Sequence, residues 1–176
     1  MFNRILQFIS QPYYRFGESN YKTENDFLNG RNKLSVILNK LSVSNQVTQA
    51  ILSIPREKFV PEAQKSYAYE DRALRIGYGQ TISQPSLVGR MIDYLEPTAN
   101  HTILDIGTGS GYQAAILSEI VKRVISVERI EELRVSATKL ITKILKLENI
   151  NIYPTRKILG WPDNAPYDGI IVGAAT

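Results

Sequence analysis

The segment LDIGTGSGY, residues 104–112, constrains the fold more than any other: an apolar run breaks into Gly107, Gly109 and Gly111 and then into an Ala-rich helical stretch. A strand that turns at once into a helix needs such residues, because glycine takes up positive φ without strain. The rest of this half repeats the alternation. TILDIG is followed by a helix from about Tyr112 to Val121, RVISVE by a helix from about Glu131 to Leu147, and NINIYP by a loop leading into YDGIIVGAA. Short Val/Ile runs spaced by amphipathic helices describe parallel strands buried on both faces and joined by crossovers. The expected class is α/β, Rossmann-like, with helices on both faces of the sheet.

The chain divides into an N-terminal extension over 1–32, a helical and loop region over 33–100, and a sheet region over 101–176 that forms one domain with the second. In the extension, MFNRILQFIS predicts a short amphipathic helix ahead of a polar stretch. Leu34, Ile37, Leu38 and Leu41, then Val47, Ile51 and Leu52, recur near helical period and predict two helices. SIPREKFVPE, with two prolines, is expected to be irregular. In ALRIGYGQTISQPS, Gly77 and Gly79 would let the backbone approach a ligand while Thr81, Ser83, Gln80 and Gln84 offer uncharged hydrogen bonds, the alternative being a plain polar loop; Pro85 then opens a helix running through Leu95. In the helix near 131–147, Leu140, Ile141, Ile144 and Leu145 are expected to face the core, with Lys139, Lys143 and Lys146 in solvent.

Composition excludes several chemistries. The absence of cysteine removes disulfides, thiolate metal sites and cysteine nucleophiles, and fits a reducing, cytoplasmic setting. The single histidine, His101, precedes the first strand of the sheet and so lies at the end opposite to where such sheets bind ligands. No metal site is expected. A net charge of +4 without any Lys/Arg block predicts a solvated surface and no nucleic-acid partner. No apolar run approaches the roughly 18–20 residues of a membrane span, so no membrane role is expected.

The spacing of the glycines selects the ligand. A dinucleotide fingerprint requires G-x-G-x-x-G, but Tyr112 stands where its third glycine belongs, and no P-loop lysine follows. Dinucleotide and P-loop phosphate binding both fall. Glu128 closes the next strand, where an acid accepts hydrogen bonds from ribose hydroxyls, and Asp105 adds negative charge beneath the turn. Either acid alone would read as a strand-end or capping carboxylate. Together with the glycines they predict a site for S-adenosyl-L-methionine, whose sulfonium is cationic and needs no phosphate cradle.

The order and intervals of IPREKFVPE, YAYEDRALRIGYGQTISQPS, LDIGTGSGYQAA, ISVERIEEL and LGWPDNAPYDGIIVGAA closely resemble protein-L-isoaspartate (D-aspartate) O-methyltransferases, over about residues 33–176. GYGQTISQP carries the resemblance, since G-x-G-x-G is common to many methyltransferases. The resemblance implies a class I S-adenosyl-L-methionine-dependent fold and methylation of the α-carboxylate of isoaspartyl residues in damaged proteins and peptides, which begins their repair. It implies that Ser83, with Thr81, orients that carboxylate. It places Gln80, Asp105, Gly107, Thr108, Gly109, Gly111 and Glu128 on the cofactor. Two departures carry expectations of their own. Thr155, Arg156 and Lys157 stand where the family has Gly-Asp-Gly, an exchange expected to weaken the hold on a cationic cofactor. The sequence ends at Thr176, where the family continues, so C-terminal strands are expected to be missing and YDGIIVGAA to form an apolar edge. The alternatives are a methyltransferase for another substrate and a non-catalytic module of the same fold.

Overall fold

The structure, a computed structural model, describes residues 23–156 and 160–173. The expected amphipathic helix within 1–10 lies outside the described residues. The first described helix, α1 (Glu24–Lys40), starts inside the stretch read as an extension. Its start is fixed by a reciprocal cap: the Thr23 hydroxyl accepts from Asp26 N at 3.2 Å, and the Asp26 carboxylate accepts from Thr23 N at 2.9 Å. Leu34 and Leu38 form its buried stripe.

Next, α2 (Asn45–Ser53), capped by Ser44, buries Val47, Ala50 and Ile51. Two short turns of 3₁₀ helix, Arg56–Phe59 and Glu62–Tyr67, follow in the Pro-bearing stretch. The segment read as a polar loop is instead a hairpin, β1 (Leu74–Gly77) against β2 (Gln80–Ile82), with Leu74 opposite Ile82. Its faces alternate: Leu74, Ile76 and Ile82 are buried, while Arg75 and Thr81 face out. At the tip, a Cβ on Gly77 or Gly79 would meet no atom of the chain within 4 Å, so within the protein these glycines serve the left-handed turn (φ +93° and +71°).

Pro85 opens α3 (Pro85–Tyr94) as expected. The main sheet then forms from β3 (Thr102–Ile106), β4 (Arg123–Glu128), β5 (Ile150–Pro154) and β6 (Gly169–Val172), all parallel, in the order β5-β4-β3-β6. Between them lie α4 (Tyr112–Ser118) and α5 (Glu131–Lys139). Because β3, β4 and β5 are laid down in one direction, crossovers of one hand put α4 and α5 on the same face. That face, with Ile103, Val124, Ile150 and Ile171, carries the main core together with α1, α2 and α3. The other face holds Leu104, Ile125 and Val127 under Trp161, which stacks on Tyr153 with ring centroids 4.2 Å apart. Among the described residues, a segment around Trp161 and Tyr167 that holds one short 3₁₀ turn (Pro162–Asn164), and no α-helix, covers it.

One packing expectation fails. After Lys139 the helix continues as a π-helix over Leu140–Leu145, ended by Lys146 at φ 55°. Each residue of the wider coil turns less about the axis, so the third residue on no longer shares a face. Ile141 is buried but Ile144 is 53% exposed.

Candidate active site

The strand order reverses at β3: the chain moves away through β4 and β5 and returns on the other side as β6. The crevice beyond the carboxyl ends of β3 and β6 is therefore where such a sheet takes a ligand. The turn after β3 occupies it. Gly107 N and Thr108 N both donate to Val127 O, at 2.9 and 3.2 Å, so the turn is stitched to β4 before it reverses. Gly111 N then donates to Thr108 O at 2.8 Å and starts α4. Gly109 and Gly111 have φ of +55° and +90°.

Two buried acids hold this turn from beneath. Glu128 accepts from Gly109 N at 2.7 Å and, through its other oxygen, from Ile130 N at 2.9 Å. Asp105 is fully buried and accepts from Gln113 Nε2 and Ser126 Oγ, each at 2.7 Å. Ser126 Oγ lies 2.5 Å from Thr108 Oγ1. Since the Ser126 proton goes to Asp105, Thr108 is the donor in that contact, and the chain Thr108 to Ser126 to Asp105 is complete. Burial pushes the Asp105 carboxyl above its ordinary value; the Ser126 and Gln113 hydrogen bonds oppose this and the Glu128 charge reinforces it.

The hairpin closes the crevice from the other side. Thr81, Ser83, Gly107, Thr108, Gly109 and Ser110 line an open cleft, together with Tyr112, Gln113 and Gly173. Thus Thr81, Ser83, Gly107, Thr108 and Gly109 of the residues singled out in the sequence come together on the cleft. Asp105 and Glu128 sit under its floor. Gly111 turns away: a Cβ there would approach Ile141 Cδ1 to 2.9 Å, so its small size seats the π-helical segment. Gln80 lies in β2, its side-chain amide 3.5 Å from Tyr78 O. His101 bonds Thr98 N at 3.2 Å, at the far end of the sheet.

Sequence reasoning passed over Gln113, Ser126, Arg56 and Asp71. Ser126 had a signal, a hydroxyl inside the apolar run RVISVE, and strand register places it opposite Asp105. Asp71 accepts from Ser86 N at 2.8 Å and Ser86 Oγ at 2.7 Å, a pairing across an irregular segment that no local pattern announces. The cationic stretch after β5 is also resolved in part. Arg156 packs 3.7 Å over the Trp161 ring and pairs with both Asp163 oxygens at 3.2 and 2.9 Å, so its charge is offset locally. Lys157 lies outside the described residues.

Residues 30–176 match the family model described as Protein-L-isoaspartate(D-aspartate) O-methyltransferase. Protein-L-isoaspartate O-methyltransferase 2 of Nitrosococcus oceani is 46% identical over 138 residues, covering 78% of this chain and 63% of that protein. The Photobacterium profundum protein-L-isoaspartate O-methyltransferase is 48% identical over 146 residues, covering 82% and 69%. A solved protein-L-isoaspartate O-methyltransferase superposes with a TM-score of 0.74 at 34% identity, covering 81% of this chain and 47% of that one. A Plasmodium falciparum structure in complex with S-adenosyl-L-homocysteine shares the fold, with a TM-score of 0.66 at 23% identity over 82% of this chain and 73% of that one. The chain spans just under two thirds of the length of curated relatives such as the Nitrosococcus protein. By the model match and by these identities, the chain belongs to the protein-L-isoaspartate (D-aspartate) O-methyltransferase family.

Proposed function

We propose that this chain transfers the methyl group of S-adenosyl-L-methionine to the α-carboxylate of L-isoaspartyl and D-aspartyl residues in damaged proteins, the first step of their repair. The observation that carries the reading is the charge of the cleft. Among the described residues no Lys or Arg lines it, and two carboxylates, Asp105 and Glu128, lie under its glycine floor. Such a site suits a cationic ligand without phosphate and disfavours a nucleotide. Gly107, Thr108 and Gly109 would pass along the cofactor, Glu128 and Gln80 would accept or donate to its polar groups, and Gly111 would keep the turn in shape.

When bound, S-adenosyl-L-methionine supplies an electrophilic methyl on a sulfonium. The chain's own residues need do little beyond positioning. A carboxylate is ionised at neutral pH, so a C–O bond forms as the S–C bond breaks, leaving a methyl ester and a neutral thioether with no proton to move. This agrees with a cleft that offers hydroxyls and no base. Ser83 and Thr81 hold the attacking carboxylate by hydrogen bonds. The family names of the relatives, the absence of cysteine and the absence of a membrane-spanning helix among the described residues fit isoaspartyl proteins as substrates and a cytoplasmic setting.

The test is methyl transfer to an isoaspartyl peptide compared with its aspartyl twin. Transfer to the isoaspartyl peptide alone is expected. Equal transfer to both sinks the substrate assignment, and transfer to neither sinks the activity. Ser83→Ala should lower turnover by about 10²-fold while leaving affinity for S-adenosyl-L-homocysteine within about threefold.

A further inference from the structure

Beneath the cleft, in the first 3₁₀ turn, Arg56 is 0% exposed. Its Nη2 donates to Ser83 O at 2.8 Å and to Arg72 O at 3.3 Å. Its guanidinium lies 4.6 Å from the centre of the Tyr112 ring, and Tyr112, 1% exposed, is the first residue of α4. Phe59 meets the same ring edge-on, with centroids 5.4 Å apart. Arg56 therefore touches both walls of the cleft from behind: the backbone of the candidate orienting serine, and the residue that follows the glycine turn.

The segment from Ser83 to Ser86 is held at both ends by buried charge. Arg56 binds its first carbonyl and Asp71 its last amide and hydroxyl. Between these anchors, Ser83 and Gln84 are only partly buried, and the Gln84 side chain bonds within the segment to Ser86 Oγ at 3.0 Å. Filling a core requires no charge. An apolar side chain of the same length would fill this space without the desolvation cost of a guanidinium. A guanidinium, in contrast, bonds both carbonyls through Nη2 while its flat group lies against an aromatic ring, a broad contact that the compact, strongly hydrated ammonium of lysine matches poorly.

We propose that Arg56 is a positioning residue that locks the Ser83 backbone to the start of α4 and so sets the substrate hairpin against the glycine turn. Its effect on turnover rests on the function proposed above. Its effect on the hairpin does not.

The experiment compares the full chain with Arg56→Met and Arg56→Lys by amide hydrogen exchange and by methyl transfer to the isoaspartyl peptide. In Arg56→Met, exchange at the amides of residues 80–84 and Ser86 should rise about tenfold or more, with β3 and β4 unchanged. Turnover should fall by about 30-fold, affinity for S-adenosyl-L-homocysteine should stay within about threefold, and Ser83→Ala should then cost less than about threefold further. Arg56→Lys keeps the charge but loses the planar contact on Tyr112; it should recover stability and leave exchange at the hairpin raised, and it carries the same measurements if the Met variant does not fold. Unchanged exchange at residues 80–86, or a Ser83→Ala loss equal in both backgrounds, overturns the proposal. If the parent chain methylates no isoaspartyl peptide, the proposed function falls while the exchange data still decide the role of Arg56.

Discussion

The two walls of the cleft are built on opposite plans. The glycine turn after β3 is held by groups on the neighbouring strand β4, in regular register: Val127 O, the Glu128 carboxylate, and the Ser126–Asp105 pair. The hairpin wall is held instead by charges on irregular segments outside any sheet register, Arg56 and Asp71, reaching its carbonyl and amide ends. The contrast teaches that the wall proposed for the cofactor is encoded in one strand-helix-strand unit, whereas the wall proposed for the substrate is assembled around irregular segments. Each half should then fail in its own way.

The largest effect is expected at Gly111. Alanine there must adopt φ +90° and bring its Cβ to 2.9 Å from Ile141 Cδ1. Left-handed strain and overpacking together should cost roughly 2–4 kcal/mol, measured by denaturant unfolding. Ile141→Val removes the offending methyl, so in the double variant about 1 kcal/mol of that cost should be recovered while the backbone part stays. A Gly111→Ala cost below about 0.5 kcal/mol would mean that the turn is less fixed than its packing indicates.

Second comes Glu128→Gln. The amide keeps one acceptor but turns an N–H₂ group toward either Gly109 N or Ile130 N, both of which donate to Glu128. Losing one charge-assisted bond and opposing two donors should weaken S-adenosyl-L-homocysteine binding by about 10–100-fold. Isothermal calorimetry reads this directly. Ser83→Ala, on the hairpin wall, is expected to spare that affinity, so a matching loss in both variants would erase the division between the walls.

The same division explains what the sequence revealed. Strands, glycine turn and both acids were legible because their signals are local: Val/Ile runs, glycines at a turn, a carboxylate closing a strand. The roles of Ser126 and Gln113 were not, since facing Asp105 depends on register and helix phase that no single run carries. The hairpin was read as a loop because its glycines and hydroxyls mask a short alternation of Leu74, Ile76 and Ile82. Thr23 and Asp26 spell a helix start inside a stretch read as an extension, where polar residues hid a capping pair. Ile144 faced the core by α-helical counting and leaves it in the wider π-helical coil. Arg56 and Asp71 carried no signal, because their partners are backbone groups that only the folded chain brings near.

The smallest effect separates the walls by pH. Burial raises the Asp105 carboxyl above its ordinary value despite the Ser126 and Gln113 bonds that favour its ionised form. The folded chain therefore keeps that proton to higher pH than the unfolded chain does, and stability falls as pH rises through the interval between the two values. Below the interval the group is protonated in both states and adds no pH dependence; above it the native state carries a buried, ionised carboxylate. Asparagine imitates the neutral form at every pH, so the stability of Asp105→Asn relative to the parent should improve as pH rises through that interval and level off beyond it. Urea unfolding of both proteins from acid to neutral pH measures this difference. A relative stability of Asp105→Asn that worsens with rising pH would show that the hydrogen bonds to the carboxylate outweigh its desolvation, so that Asp105, like Glu128, holds the floor best as an ionised group.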